Sequence, residues 1–196
     1  MKDIYVFDMG HVILKPSNLK KMYLESCSNC NYDEFKKLFY DSSFSNDVYS
    51  GLINDDMFFK AIKEKSNSKK TIKQLKTMYL KYKGEVYLDT IEIIKNLKEN
   101  RSMICLLSNL KEIDYQYLSS VVDMSDFDKV FLSYMMNCAK PDPKIFQKVI
   151  QELGTNNFYF FDDNEENILT AKELGIDAYN VTGDTIKECF VKKLKR

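Results

Sequence analysis

No apolar run in the 196-residue sequence approaches the ~20 residues that a helix needs to cross a bilayer. The opening run at 4–7 (IYVF) is too short, and too poor in flanking charge, for a secretory signal, so a cytoplasmic location is the default expectation. An excess of charge of one sign is missing as well. Lys and Arg number 29, Asp and Glu 29, and the zero balance offers no electrostatic case for nucleic acid or for an acidic membrane surface. Arginine is confined to Arg101 and Arg196, so a bound phosphate would have to be held by Lys, backbone N–H groups and metal rather than by a guanidinium fork. The many lysines recur mostly on helix faces, where a solvated surface is expected. Five cysteines make no disulfide framework. Cys27 and Cys30 form a lone C-x-x-C with no second pair at zinc-finger spacing and are expected to be structural or incidental thiols. Cys105, inside an apolar run, is expected to be a small buried hydrophobe.

The composition that remains, 44% hydrophobic and 30% charged, suits a globular chain with one medium domain or a core carrying a small insertion. Four short apolar runs fit buried strands: 4–7 (IYVF), 103–107 (MICLL), 130–132 (VFL) and 158–161 (FYFF), with a weaker fifth at 178–181 (AYNV). Helical patterns lie between them. Asp89 is a candidate cap for a helix facing inward through Ile91, Ile94 and Leu97. A second helix has Asp142 as cap, Pro143 at its first position and Gly154 as its stop, and a third runs from about Asn164 to Gly175. Strand and helix alternate from about residue 88 onward, which predicts an α/β core with a parallel sheet. Residues 15–87 carry helical patterns at 18–26, 32–40, 55–65 and 71–82, with 66–70 as a turn and no convincing strand. An all-helical insertion after the first strand is expected there, leaving 1–14 and 88–196 as the core.

Polar residues follow the strands in a telling order. Asp8 comes directly after the first apolar run, Ser108 and Asn109 after the second, and Asp162 with Asp163 after the fourth. Parallel sheets bind ligands at the carboxyl ends of their strands, so these groups are expected to share one site. Helix capping accounts for single residues such as Asn164, but not for paired carboxylates converging with a third, which repel unless a cation neutralises them. Three acidic oxygen donors suit Mg²⁺. Lys140, in 139–142 (AKPD), precedes a helix and can bring an ammonium to the same edge.

Taken in order, 8–12 (DMGHV), Ser108, Lys140 and 160–164 (FFDDN) resemble the four motifs of the haloacid dehalogenase superfamily, with the helical insertion where that family carries a C1-type cap on its Rossmann-like core. The resemblance implies a phosphatase acting on a small-molecule phosphate ester, with Asp8 attacking phosphorus to form an aspartyl-phosphate that water then hydrolyses. It implies Mg²⁺ held by the Asp8 carboxylate, the Gly10 carbonyl and Asp163, with Asp162 assisting directly or through water. Ser108, the backbone N–H of Asn109 and Lys140 would receive the phosphoryl oxygens. Family members that dehalogenate carbon need no metal, so the doubled acid favours phosphate chemistry.

One position departs from the family pattern. Two residues after the nucleophile most phosphatases of this family have a second Asp, the general acid for the leaving oxygen; here it is Gly10. Three explanations stand side by side. The chain can resemble the subgroup of bacterial α-D-glucose-1-phosphate phosphatases, whose motif also has Gly there, followed usually by Asn where this sequence has His11. His11, the single histidine, can donate the proton itself. Or turnover has been lost and a phosphate- and metal-binding sensor remains.

Overall fold

The apolar runs do become strands, and their pairing sets everything else. The computed structural model describes residues 2–27, 30–40 and 43–193. Five parallel strands, β1 (Ile4–Phe7), β2 (Met103–Ser108), β3 (Lys129–Leu132), β4 (Tyr159–Asp162) and β5 (Asp177–Asn180), form one sheet in the order β3-β2-β1-β4-β5. The first strand is therefore central, with the two strands that end in polar residues on either side of it.

Period-two alternation divides the sheet's side chains between two cores. Val6, Cys105, Leu107 and Phe160 face one layer, packing with Ile145, Phe146 and Val149 of α9 (Pro143–Leu153) and Ile168 and Ala171 of α10 (Glu165–Glu173). Tyr5, Phe7, Ile104, Leu106 and Phe161 face the other, against Ile94 of α6 (Leu88–Glu99), Leu118 of α7 (Glu112–Val121) and Ile186 of α11 (Ile186–Lys193). Phe7, Phe160 and Phe161 are fully buried, each worth about 1.5–3 kcal/mol in burial. Burial on both faces is why these strands read as continuous apolar runs rather than alternating ones.

Between β1 and β2 the described chain is helical: α1 (Leu19–Ser26), α2 (Tyr32–Tyr40), α3 (Ser43–Tyr49), α4 (Asp55–Lys65) and α5 (Ile72–Lys81), before α6 returns to the sheet. These helices build a core of their own from Phe35, Phe39, Phe58, Phe59 and Leu75, closed by Ile113 from α7. The connections into and out of this segment run side by side, tied by Lys15 N to Glu85 O (2.8 Å), Asn18 N to Tyr82 O (2.8 Å) and Tyr87 N to Ile13 O (2.8 Å). Gly84 is required at that approach, since a Cβ there would sit 1.7 Å from the Lys15 carbonyl oxygen.

Several expectations need correction. Helix α3 was not anticipated, because SFSNDVY is rich in residues that favour caps and turns and buries only Ser45 and Val48. The helices α7, α8 (Ser133–Met136) and α11 are further additions. Asp89 does not cap α6: Tyr87 holds that place with no side-chain bond to the helix, and Asp89 lies in the first turn, paired with Lys187 at 2.9 Å. Tyr87 is retained there by its hydroxyl, which donates to Asp184 at 2.9 Å. Cys27 and Cys30 are joined as a disulfide rather than standing as thiols. Cys105 is buried as expected. Asp142 and Asn164 do cap α9 and α10, and Gly154 ends α9 in the left-handed conformation. No helix among the described residues is long and apolar enough to cross a membrane.

Candidate active site

Strand register carries the polar residues to one edge. Phe7 lies level with Leu106 and with Phe161, so the next residue, Asp8, emerges beside the ends of β2 and β4, where Ser108 and Asp162 stand. Asp8 is buried, and its backbone N–H continues the ladder to Phe161 O at 2.9 Å. Its Oδ1 accepts from Ser108 Oγ (2.7 Å) and from Lys140 Nζ (2.7 Å). Ser108 Oγ in turn accepts weakly from Met9 N at 3.4 Å. No protein donor reaches Asp8 Oδ2 among the described residues.

Lys140 is the hinge of the charge arrangement. Its side chain is 1% exposed, and its ammonium reaches Asp8, Asp162 Oδ2 at 2.5 Å and the Leu107 carbonyl at 3.0 Å, which uses all three of its protons. Asn109 positions the backbone behind it. Asn109 Nδ2 donates to Lys140 O (2.7 Å) and Lys140 N donates to Asn109 Oδ1 (2.9 Å), so this side chain straps the Lys140 loop to the end of β2, and only its backbone is left for a phosphate.

Asp162 is equally committed. Asn164 N (2.8 Å) and Asn167 Nδ2 (3.0 Å) reach its Oδ1, while Lys140 and Asn167 Nδ2 (3.0 Å) reach its Oδ2. Asn167 was not anticipated. It sits on α10 one turn past the acidic pair, a position that reads in sequence as an ordinary polar helix face.

Asp163 is more open, with its Oδ2 at 2.9 Å from His11 Nδ1. The loop carrying His11 is pinned by Thr90 Oγ1 to Val12 O (2.7 Å) and Gly183 N to His11 O (2.8 Å), and His11 takes a left-handed φ of 57°. Asn tolerates that conformation best among non-glycine residues, which gives a physical reason for Asn or His at this position. Gly10 carries no such constraint. A Cβ there would meet only Asp8 Oδ2, at 3.5 Å, an ordinary contact.

Electrostatics follow from this geometry. Burial pushes Asp8 up to about 6, against the pull of the Lys140 ammonium, and the Asp162 carboxylate adds to the rise. Burial alone would lower Lys140, but Asp162 and Asp8 together outweigh it and hold the ammonium above its ordinary value. His11 is raised, chiefly by its hydrogen bond to Asp163, with burial opposing.

Asp8, Asp162 and Asp163 each offer a carboxylate oxygen within 4.8 Å of the others. An oxygen-only donor set in which Asp8 Oδ2 meets no protein donor among the described residues and Asp163 is partly exposed fits Mg²⁺, which takes oxygen ligands and keeps waters. The Gly10 carbonyl accepts from Val12 N at 2.7 Å and retains a second lone pair. These groups open on a cavity of about 550 Å³ that extends under the helical segment.

Residues 34–175 match the haloacid dehalogenase-like hydrolase family, and the chain belongs to it. The match takes in Ser108, Lys140, Asp162 and Asp163 and begins after Asp8. Among characterised proteins, the chain is similar to D-ribitol-5-phosphate phosphatase of Bacteroides thetaiotaomicron, 25% identical over 184 residues and 89% of either chain. Among solved structures it is similar to a haloacid dehalogenase family enzyme of the same organism, crystallised with magnesium and inorganic phosphate. That pair has a TM-score of 0.78 and 24% identity over 93% of this chain and 96% of the other. A protein of Porphyromonas gingivalis described as a predicted haloacid dehalogenase-like family hydrolase superposes with a TM-score of 0.79, at 22% identity, over 100% and 99% of the two chains.

Proposed function

We propose that the chain is a Mg²⁺-dependent phosphatase of a small phosphomonoester, working through an aspartyl-phosphate on Asp8. The observation that carries this reading is the meeting of the Asp8, Asp162 and Asp163 carboxylates, the first two of them on one buried ammonium, at the end of adjacent strands. Capping or packing needs no such concentration of charge. The similarity to a phosphatase of D-ribitol 5-phosphate supports a sugar or polyol phosphate as substrate, and a phosphate-bound family member supports the reaction class.

In this reading a carboxylate oxygen of Asp8 attacks phosphorus while the bond to the ester oxygen breaks. Water then attacks the acyl phosphate, releasing inorganic phosphate and restoring the carboxylate. Asp8, Asp163 and the Gly10 carbonyl are the proposed ligands of Mg²⁺, which supplies the positive charge that lets two anions approach. Asp162, with three donors already on it, would serve by holding Lys140 and by assisting at the metal directly or through water. Ser108 Oγ, the Asn109 backbone N–H and Lys140 receive the phosphoryl oxygens. The contact with Asp163 supports a positioning role for His11 over proton donation to the leaving oxygen. Residues 15–87 act as a cap that closes the cavity over the substrate and excludes water from the first step.

The reading is tested by phosphate release from a panel of sugar and polyol phosphates and an activated aryl phosphate. Release is expected with Mg²⁺ and not with a chelator. No release from any ester, with phosphate still binding, would favour the sensor for which Gly10 is the argument.

Gly10 itself offers a gain-of-function test. Because a Cβ at this position has room, Gly10→Asp is expected to fold and to supply the missing acid. A positioned acid is worth ~10²–10⁴-fold, so turnover of an alkyl phosphate should rise by about 10²-fold, while an aryl phosphate, whose leaving group needs no proton, should change little. Equal changes for both substrates would mean that the new carboxylate acts on something other than the leaving oxygen.

A further inference from the structure

Beyond the phosphoryl site, the same cavity is lined by a second cluster of buried charge that the reaction does not use. Lys83, from the ribbon leaving α5, and Lys111, at the start of α7, share a single carboxylate, Asp114. Asp114 is saturated. Its Oδ1 accepts from Lys83 and from the Tyr79 hydroxyl (2.5 Å), and its Oδ2 accepts from Lys111 Nζ (2.8 Å) and Lys111 N (3.1 Å). The side chains of Lys83, Lys111 and Asp114 are 8%, 3% and 4% exposed, so two ammonium groups stand against one carboxylate out of bulk water.

No second carboxylate pairs directly with either lysine among the described residues. Asp55, the next carboxylate, is turned to Ile113 N at 2.8 Å. The rings of Tyr49, Phe58 and Tyr79 surround the Lys111 ammonium at 5.0–5.1 Å, which lessens its desolvation but supplies no lone pair. Two of the three Lys111 ammonium protons therefore have no acceptor among the described residues, and the N-terminus of α7 adds positive potential at the same place. A surplus buried charge is costly unless a ligand neutralises it. Sequence pattern hides this cluster, since a Lys at a helix start and a Lys after a helix both read as solvated.

We propose that Lys111 and Lys83 bind an anionic oxygen, of a carboxylate or a second phosphate, at the end of the substrate remote from the transferred phosphoryl group. One cavity is lined both by Asp8, Ser108 and Lys140 and by Tyr49, Tyr79, Lys83 and Lys111, and its volume of about 550 Å³ accommodates a short phosphorylated chain. The proposal rests on the phosphatase reading for the near end and adds a substrate class to it: a small phosphomonoester with a second anionic group, such as a phosphorylated sugar acid or a bisphosphate.

The test compares three five-carbon probes differing only at the far end: ribitol 5-phosphate (hydroxyl), ribonate 5-phosphate (carboxylate) and ribitol 1,5-bisphosphate (phosphate). Affinity is measured by calorimetry with Mg²⁺ on the Asp8→Asn chain, which has no nucleophile, and turnover separately on the wild type. One or both anionic-ended probes should bind at least about tenfold more tightly than ribitol 5-phosphate. The ratio should fall toward one in Asp8→Asn chains that also carry Lys111→Met or Lys83→Met. Each of those variants leaves one ammonium for one carboxylate and is expected to fold. Equal affinity for the three probes would overturn the proposal even if the wild type hydrolyses all of them. Anionic preference without wild-type turnover would uphold it and overturn the phosphatase reading instead.

Discussion

Replacing Asp8 by Asn is expected to abolish phosphate release while leaving the fold intact. Loss of a covalent nucleophile costs on the order of 10⁴–10⁶-fold in turnover, because the remaining groups can bind and polarise the ester but have nothing to attack it with. Asn has the same shape, and its carbonyl can still accept from Ser108 Oγ and Lys140 Nζ, the bonds now made to Asp8 Oδ1. The charge balance improves, since Lys140 then faces one buried carboxylate, Asp162, rather than two. The melting temperature in the absence of metal should accordingly be unchanged or higher, and kcat for an aryl phosphate should fall below one ten-thousandth of its starting value. Stability retained with turnover lost separates a missing nucleophile from an unfolded site. A kcat within tenfold of the wild type would remove Asp8 from the mechanism.

The parts of this molecule that could be read from sequence are those governed by local chemistry and by period. Fully buried strands announce themselves as apolar runs, and the residue after each run lies at the carboxyl edge whatever the strand order. Asp8, Ser108 and Asp162 could thus be assigned to one edge before any pairing was known. Asp142 and Asn164 were legible as caps because a cap is a local device. What escaped depended on partners far away in the chain. Lys111 and Lys83 become a buried pair only because α7 and the ribbon after α5 are brought together through Asp114. Asn167 matters because Lys140 leaves half of Asp162 to be satisfied by someone else. Asp89 failed as a cap for the same reason, as the tertiary bond from Tyr87 to Asp184 fixes where α6 begins. The Cys27–Cys30 bond likewise is not determined by spacing alone.

Lys140→Met is expected to produce a large loss of stability, and its pH dependence is diagnostic. The substitution keeps the length of the side chain but leaves Asp8 and Asp162 buried beside one another with no counter-charge. Breaking a buried pair in this way costs about 3–5 kcal/mol. The loss has a definite sign with pH. Burial already raises Asp8 to about 6 in the folded protein, and without the ammonium, whose pull opposes that rise, its value moves higher still. An unfolded Asp titrates near 3.9, so above about pH 4 the native variant holds a proton that the unfolded chain has released. Stability of the native state then falls as pH rises through that window, and is lost in full only above the folded value. Urea unfolding without metal should therefore show Lys140→Met closest to wild type near pH 5 and furthest below it near pH 8. Mg²⁺ should restore part of the difference at the higher pH, where Asp8 is ionised and a bound cation would take over the role of the missing ammonium. A deficit of the same size at both pH values, indifferent to Mg²⁺, would assign the loss to packing around the Met side chain and not to the charge that Lys140 supplies.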